Sequence, residues 1–191
     1  MARRTDPRML RSRATVLDTT LRLLAERGIG ATTIEAVAEH SGVAKTTIYR
    51  QWDSQAELVL DAFGSILRAP ADPDTGSLRE DLVGLLGGFA QALCTGPAPG
   101  LMFTLIDAAE RDPGFAALHR REAEIRHAVI LAVIIRGIER GELPAGTDPA
   151  DVLDLLAGPI FHRRAVSAGT VDPAFAEHVV DLVLAAYRCA P

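Results

Sequence analysis

An all-α fold of about nine helices is what this sequence predicts, on three observations. Apolar residues recur at three- and four-residue spacing over segments of helical length. Alternating runs of Val, Ile or Thr between hairpin turns are missing. Glycines, prolines and Asp-Pro pairs punctuate the chain at helical intervals. Hydrophobic residues make up 48% of the 191 positions, enough for a sizeable core and too many for a disordered chain.

Taken in order, Val16, Leu17, Leu21, Leu23 and Leu24 mark a first helix from Pro7 to Arg27, ended by Gly28 and Gly30. Thr32 or Thr33 caps a short second helix through His40. Ser41-Gly42-Val43 is a tight turn, and a third helix covers Ala44 to Gln51. Asp53 and Ser54 cap a fourth that reaches Leu67. The stretch from Ala69 to Gly76 reads as a linker. A fifth helix follows Ser77, with Leu78, Leu82, Leu85, Leu86, Phe89 and Leu93 on one side, until Thr95 to Gly100 breaks it. Gly84, Gly87 and Gly88 within it read as close-packing positions. The sixth spans Leu101 to Arg111 and ends at Asp112-Pro113-Gly114. The seventh runs from Phe115 to Arg140; its centre, Val129 to Ile135, is apolar on every face and is expected to be buried all round. Asp148-Pro149 and Asp172-Pro173 open the last two helices, 149–168 and 173–188.

The formal net charge is −5, but it is unevenly spread. Residues 1–55 hold nine basic against six acidic side chains, and the remainder holds eleven against nineteen. Such a basic head on an acidic body suits a protein that meets phosphate at one end only. Arg3, Arg4, Arg8, Arg11 and Arg13 crowd the first thirteen positions, and Lys45 is the only lysine. Cys94 and Cys189, the two cysteines, have no metal-ligand spacing and are expected to stay reduced in the cytoplasm. No run of eighteen apolar residues is present, so no membrane-spanning helix is expected.

The informative stretch is Thr32 to Leu58. Two short helices that cross steeply need a small residue at their contact, a tight turn and apolar props. Ala38, Gly42 and the trio Val37, Val43 and Ile48 meet those needs. The remaining side chains, Lys45, Thr46, Thr47, Tyr49, Arg50 and Gln51, form a compact set of donors and methyls on one short helix. Lys45 can donate to guanine or phosphate, and Thr46 offers a methyl to thymine. Thr47 and Tyr49 can hydrogen-bond backbone phosphates, as can Thr33 at the start of the preceding helix. Trp52 and Phe63 are assigned to the core.

This segment, from Arg8 to Leu58, resembles the TetR family of bacterial one-component regulators. The resemblance is carried by Gly28, Thr32-Thr33, Ala38, Gly42-Val43, Lys45, Ile48-Tyr49-Arg50, Trp52 and Glu57-Leu58. It implies a helix-turn-helix DNA-binding domain over 1–53 and a ligand-sensing and dimerisation domain over 54–191. The implied partners are palindromic double-stranded operator DNA, a second copy of the chain, and a small-molecule effector that releases a repressor. Two departures stand out. Gln55 occupies a position usually basic, and Gln51 one often His or Arg, which implies fewer charge contacts with phosphate and a shallower salt dependence. These glutamines leave open a second reading, a helical interaction module that has lost specific DNA binding.

Beyond residue 60 a partial signature remains. Arg140-Gly141-Glu142-Leu143-Pro144 and Asp154-Leu155-Leu156-Ala157-Gly158-Pro159-Ile160 resemble one class of TetR-type C-terminal domain. That class implies a homodimer through the last two helices. The stripes Val152, Leu155, Leu156, Ile160, Val166 and Phe175, Val179, Leu182, Val183, Ala186 are compatible with it, and Pro159 is expected to kink its helix. By the same analogy helices five to seven enclose a ligand. Its candidate walls are Phe89, Leu93, Met102, Phe103, Ile106 and Leu118. Its candidate polar contacts are Asp107, Glu110, His119, Glu122 and Arg126. No phosphate-binding glycine loop, metal motif or nucleophile motif is found, so neither an enzyme nor a bound cofactor or metal is expected.

Overall fold

The computed structural model describes residues 7–66, 70–95 and 100–188. Arg3 and Arg4, the helix end at Leu67, the break over 96–99 and Cys189 lie outside them, as do the surroundings of the Leu118 side chain. The described residues form α1 (Pro7–Arg27), α2 (Ile34–Ser41), α3 (Lys45–Tyr49), α4 (Gln55–Ile66), α5 (Leu78–Cys94), α6 (Leu101–Arg111), α7 (Pro113–Glu139), α8 (Pro149–Phe161) and α9 (Pro173–Arg188), without a strand among them. None of these helices is long and apolar enough to cross a membrane.

Local chemistry sets the helix ends. Of the threonine pair, Thr33 is the cap, its Oγ1 accepting the Ala36 N–H at 3.1 Å. Thr32 is fully buried instead and donates to the Gly28 carbonyl at 2.8 Å. Ser54 accepts the Glu57 N–H at 3.1 Å as the cap that opens α4, while the Glu57 carboxylate accepts the Asp53 N–H just before it at 2.6 Å. α7 begins two residues earlier than its sequence pattern indicates. The Asp112 carboxylate accepts the Gly114 and Phe115 N–H groups at 2.7 and 3.1 Å, so Asp112-Pro113 is a third cap-then-proline start. α8 stops earlier than expected. Pro159 has no N–H to return to the Leu155 carbonyl, and the helix widens into a π turn over His162–Val166.

The chain divides into two compact units. Among the described residues, the first comprises 7–66 and 100–122. Its core joins Val16 and Leu23 of α1, Ile34 and Val37 of α2, Ile48 of α3, Trp52, and Leu58 and Ala62 of α4, and α6 rests against α1.

Among the described residues, the second unit comprises 70–95 and 123–188. Here α5 packs chiefly on α9, and the Phe89 ring meets Phe161 of α8 with centroids 5.3 Å apart. Arg79 of α5 pairs with Glu177 and Asp181 of α9 at 2.6 and 2.7 Å. Arg79 holds the Asp181 carboxyl below its ordinary value, and Arg136 does the same for Asp72. Both carboxylates are therefore charged at neutral pH, and the pairs weaken as acid protonates them. The Arg140–Pro144 stretch gains a physical meaning. Gly141 (φ 76°) donates to the Ile138 carbonyl and Glu142 to that of Gly137, which closes α7 in a Schellman turn. The Glu142 carboxylate then accepts the Leu78 N–H at 2.8 Å, tying the start of α5 to the end of α7.

Two expectations are corrected. The Val129–Ile135 stretch is not buried all round: Val133 and Ile134 are, while Ile135 is 44% exposed. A helix apolar on every face needs neighbours on every face, and one chain covers only part of this one. Gly84, Gly87 and Gly88 are not close-packing positions, since a Cβ at each would meet open space. The close approach is at Gly137, where a Cβ would lie 2.6 Å from the buried Leu78 side chain. Gly137→Val is expected to lower the unfolding free energy by about 1–3 kcal/mol through overpacking. Gly84→Ala is expected to raise it by up to about 1 kcal/mol through helix propensity. Denaturant melts of the two variants check both.

Candidate DNA interface

The interface is built on α2 and α3. Gly42, in the left-handed region at φ 70°, donates to the Ala38 carbonyl at 3.0 Å and turns the chain between them. A side chain other than glycine is strained there. Val37 and Ile48 are fully buried, and Ala38 and Val43 pack against the same core. α3 has only five residues. Its continuation is held by the Gln51 and Trp52 N–H groups, both donating to the Ile48 carbonyl.

With Ile48 turned inward, the opposite face of α3 points to solvent. Lys45, Thr46, Tyr49 and Arg50 are exposed, Tyr49 at 47%, and Thr47 is half-buried. Lys45 is engaged: its ammonium lies 3.3 Å from the carboxylate of Glu35, in the first turn of α2. That carboxyl is held below its ordinary value, first by a backbone hydrogen bond at the helix start and then by Lys45. Thr33, half-buried, uses its hydroxyl oxygen as the α2 cap, and the hydroxyl can still donate. Gln51 differs from its neighbours, for its amide nitrogen is enclosed and lacks a protein acceptor. Gln55 donates to the Ile29 carbonyl at 2.8 Å, so it fastens the start of α4 to the turn after α1. The arrangement is a short helix that offers a cation, a guanidinium, hydroxyls and a methyl within two turns. Such a helix end is suited to base edges and phosphates.

Comparison with known proteins decides what this geometry belongs to. The profile of bacterial regulatory proteins of the tetR family matches residues 16–62, and that of the tetracyclin repressor-like C-terminal domain matches residues 72–183. The chain belongs to the TetR family. It is 32% identical to an uncharacterized HTH-type transcriptional regulator, YdeS, of Bacillus subtilis, over 98% of this chain and 93% of that one. It is 34% identical to the DNA-binding transcriptional repressor TetR of Mycobacteroides abscessus, over 90% of each chain. The crystal structure of a TetR family transcription regulator, SCO0332, superposes with a TM-score of 0.73 at 32% identity, covering 94% of this chain and 99% of that one. As a TetR-family member the chain is a DNA-binding transcription regulator of the helix-turn-helix type, not an enzyme.

The effector candidates are divided between the two units. Phe89, half-buried, and Leu93, buried, lie in the second unit. Met102, Phe103, Ile106, Glu110, His119 and Glu122 lie in the first. Among these, Met102 is buried, Phe103, Ile106, His119 and Glu122 are half-buried, and Glu110 is exposed. Asp107 is engaged with Arg111 at 2.6 Å. Among the described residues no cluster of His, Cys, Asp or Glu could hold a metal.

Sequence reasoning missed Glu35 as the partner of Lys45. The two are ten positions apart on different helices, and only the crossing angle brings them together. Because Glu35 neutralises Lys45 and adds a negative charge beside the exposed face, Glu35→Gln is expected to strengthen binding to a random-sequence duplex several-fold at low salt. It should also steepen the salt dependence by up to about 0.9 per subunit. Titrations of fluorescent duplex at several salt concentrations check this, and an unchanged affinity would show that Lys45 is not held back by Glu35.

Proposed function

We propose that this chain is a repressor that binds a palindromic operator as a homodimer and is released by a small, partly apolar ligand. The observation that carries the reading is the division of α3 itself. Ile48 is fully buried in a core shared with α1, α2 and α4, while Lys45, Thr46, Tyr49 and Arg50 stand exposed together. Thr33, Lys45, Thr46, Thr47, Tyr49, Arg50 and Gln51 are the proposed contacts, with residues 1–53 as the reading domain. Residues 54–191 supply ligand sensing and dimerisation.

The dimer is assigned to α8 and α9, and their burial supports this. Part of each apolar stripe is already used within the chain: Val152, Leu156 and Ile160 on α8, Val179 and Val183 on α9. Another part is uncovered, with Leu155 50% and Leu182 57% exposed, and Gly158 and Ala186 beside them. A second copy related by a two-fold axis would cover both faces at once and would match the symmetry of a palindrome. Ligand release requires that the ligand bind the DNA-incompetent arrangement more tightly than the DNA-competent one.

Selection of fragments from sheared genomic DNA with the purified protein, followed by sequencing, tests the reading. One or a few enriched palindromes are expected. A folded dimer that enriches no sequence at moderate salt would instead favour an interaction module that keeps the fold without reading DNA.

A further inference from the structure

Three groups from three parts of the first unit meet at one carboxylate. Asp61, on α4, accepts the indole N–H of Trp52 at 2.8 Å and forms an ion pair with Arg13 of α1. The Arg13 guanidinium in turn lies over the Trp52 ring, 5.3 Å from its centroid. Trp52 is 2% exposed, and its backbone N–H donates to the Ile48 carbonyl in α3. The indole is therefore fixed to the last turn of the exposed helix, only two residues beyond Arg50.

We infer that Asp61 is a positioning residue for α3, setting through Trp52 how Lys45, Thr46, Tyr49 and Arg50 are presented. The apolar core alone would accept a range of small rotations of so short a helix, because packing of Ile48 and Trp52 is not directional. A charge-assisted hydrogen bond is directional, and this one ends on a rigid bicyclic ring. Since Asp61 sits on α4, a displacement of α4 pulls on the indole and so on α3. Arg13 makes the joint three-sided by holding the same carboxylate from α1. Gln55 does something different, fastening α4 to the Ile29 carbonyl without touching α3. Asp61 is thus the residue whose loss should disturb the presentation of α3 while the surrounding core stays packed.

This inference rests on the operator-binding reading for its consequence but not for its geometry, so its test has two arms. In the first, backbone amide exchange is followed in the full chain for wild type, Asp61→Ala, Asp61→Asn and Trp52→Phe. The single tryptophan supplies one indole N–H resonance as an internal reporter. In Asp61→Ala and Trp52→Phe the amides of Ile48, Arg50, Gln51 and Trp52 are expected to exchange about tenfold faster, the scale of a lost hydrogen bond to a charged group. The α1 amides should keep their wild-type rates. Asp61→Asn, which retains an oxygen acceptor for the indole, should fall between.

In the second arm, enrichment of genomic fragments over a random duplex should drop about tenfold in Asp61→Ala and Trp52→Phe, while binding to the random duplex at low salt is retained. Wild-type α3 exchange rates in Trp52→Phe would overturn the inference. So would a uniform acceleration across all helices of the unit, which is the signature of a merely structural residue. If the wild-type chain enriches no fragment, the operator reading fails and the exchange arm still decides the role of Asp61.

Discussion

The N-terminal unit depends on burying one side of a helix too short to exist alone. An isolated five-residue helix has no stability in water, because nucleation consumes more than its few hydrogen bonds return. α3 persists since Ile48 and Trp52 are driven into a core supplied by α1, α2 and α4, each contributing about 1.5–3 kcal/mol on full burial. Everything proposed for the exposed face follows from that anchoring. A side chain opposite Ile48 must point outward, and the left-handed turn at Gly42 sets the angle at which α3 leaves α2.

Electrostatics are arranged around this frame rather than creating it. The excess of basic residues is confined to the first 55 positions of a chain whose net charge is −5. Even there, Lys45 faces Glu35 and Arg13 faces Asp61. Lys45 and Arg13 thus each have an acidic counterweight, which limits indiscriminate attraction to phosphate and favours surfaces that also match in shape. In the second unit the ion pairs are structural. Arg79 joins α5 to α9, and Arg136 joins α7 to the segment before α5, while Leu155 of α8 and Leu182 of α9 stay exposed.

The sequence made much of this legible, and the reasons differ from place to place. Helix positions were readable because caps are local: Thr33, Ser54, Asp148 and Asp172 each bind an N–H within three residues. The turn at Gly42 and the buried set Val37, Ile48 and Trp52 were readable from residue type and spacing. The start of α7 departs from its sequence pattern because Asp112-Pro113 both ends α6 and caps the helix that follows. The glycines of α5 were misread, since only tertiary packing distinguishes open Gly84 from crowded Gly137. Contacts between distant residues left no trace at all. Nothing in the order of residues says that Arg13, Trp52 and Asp61 converge, or which half of an apolar stripe on α8 is already consumed by its own chain.

The central claim, that two copies of α3 read DNA through their outward faces, is tested most directly by footprinting the protein on a fragment it selects. Methylation protection should show two protected major-groove segments centred about one helical turn apart, roughly 34–36 Å, with both lost when Lys45 and Arg50 are replaced by alanine. Protection of a single segment, or a footprint indifferent to those two residues, would contradict it.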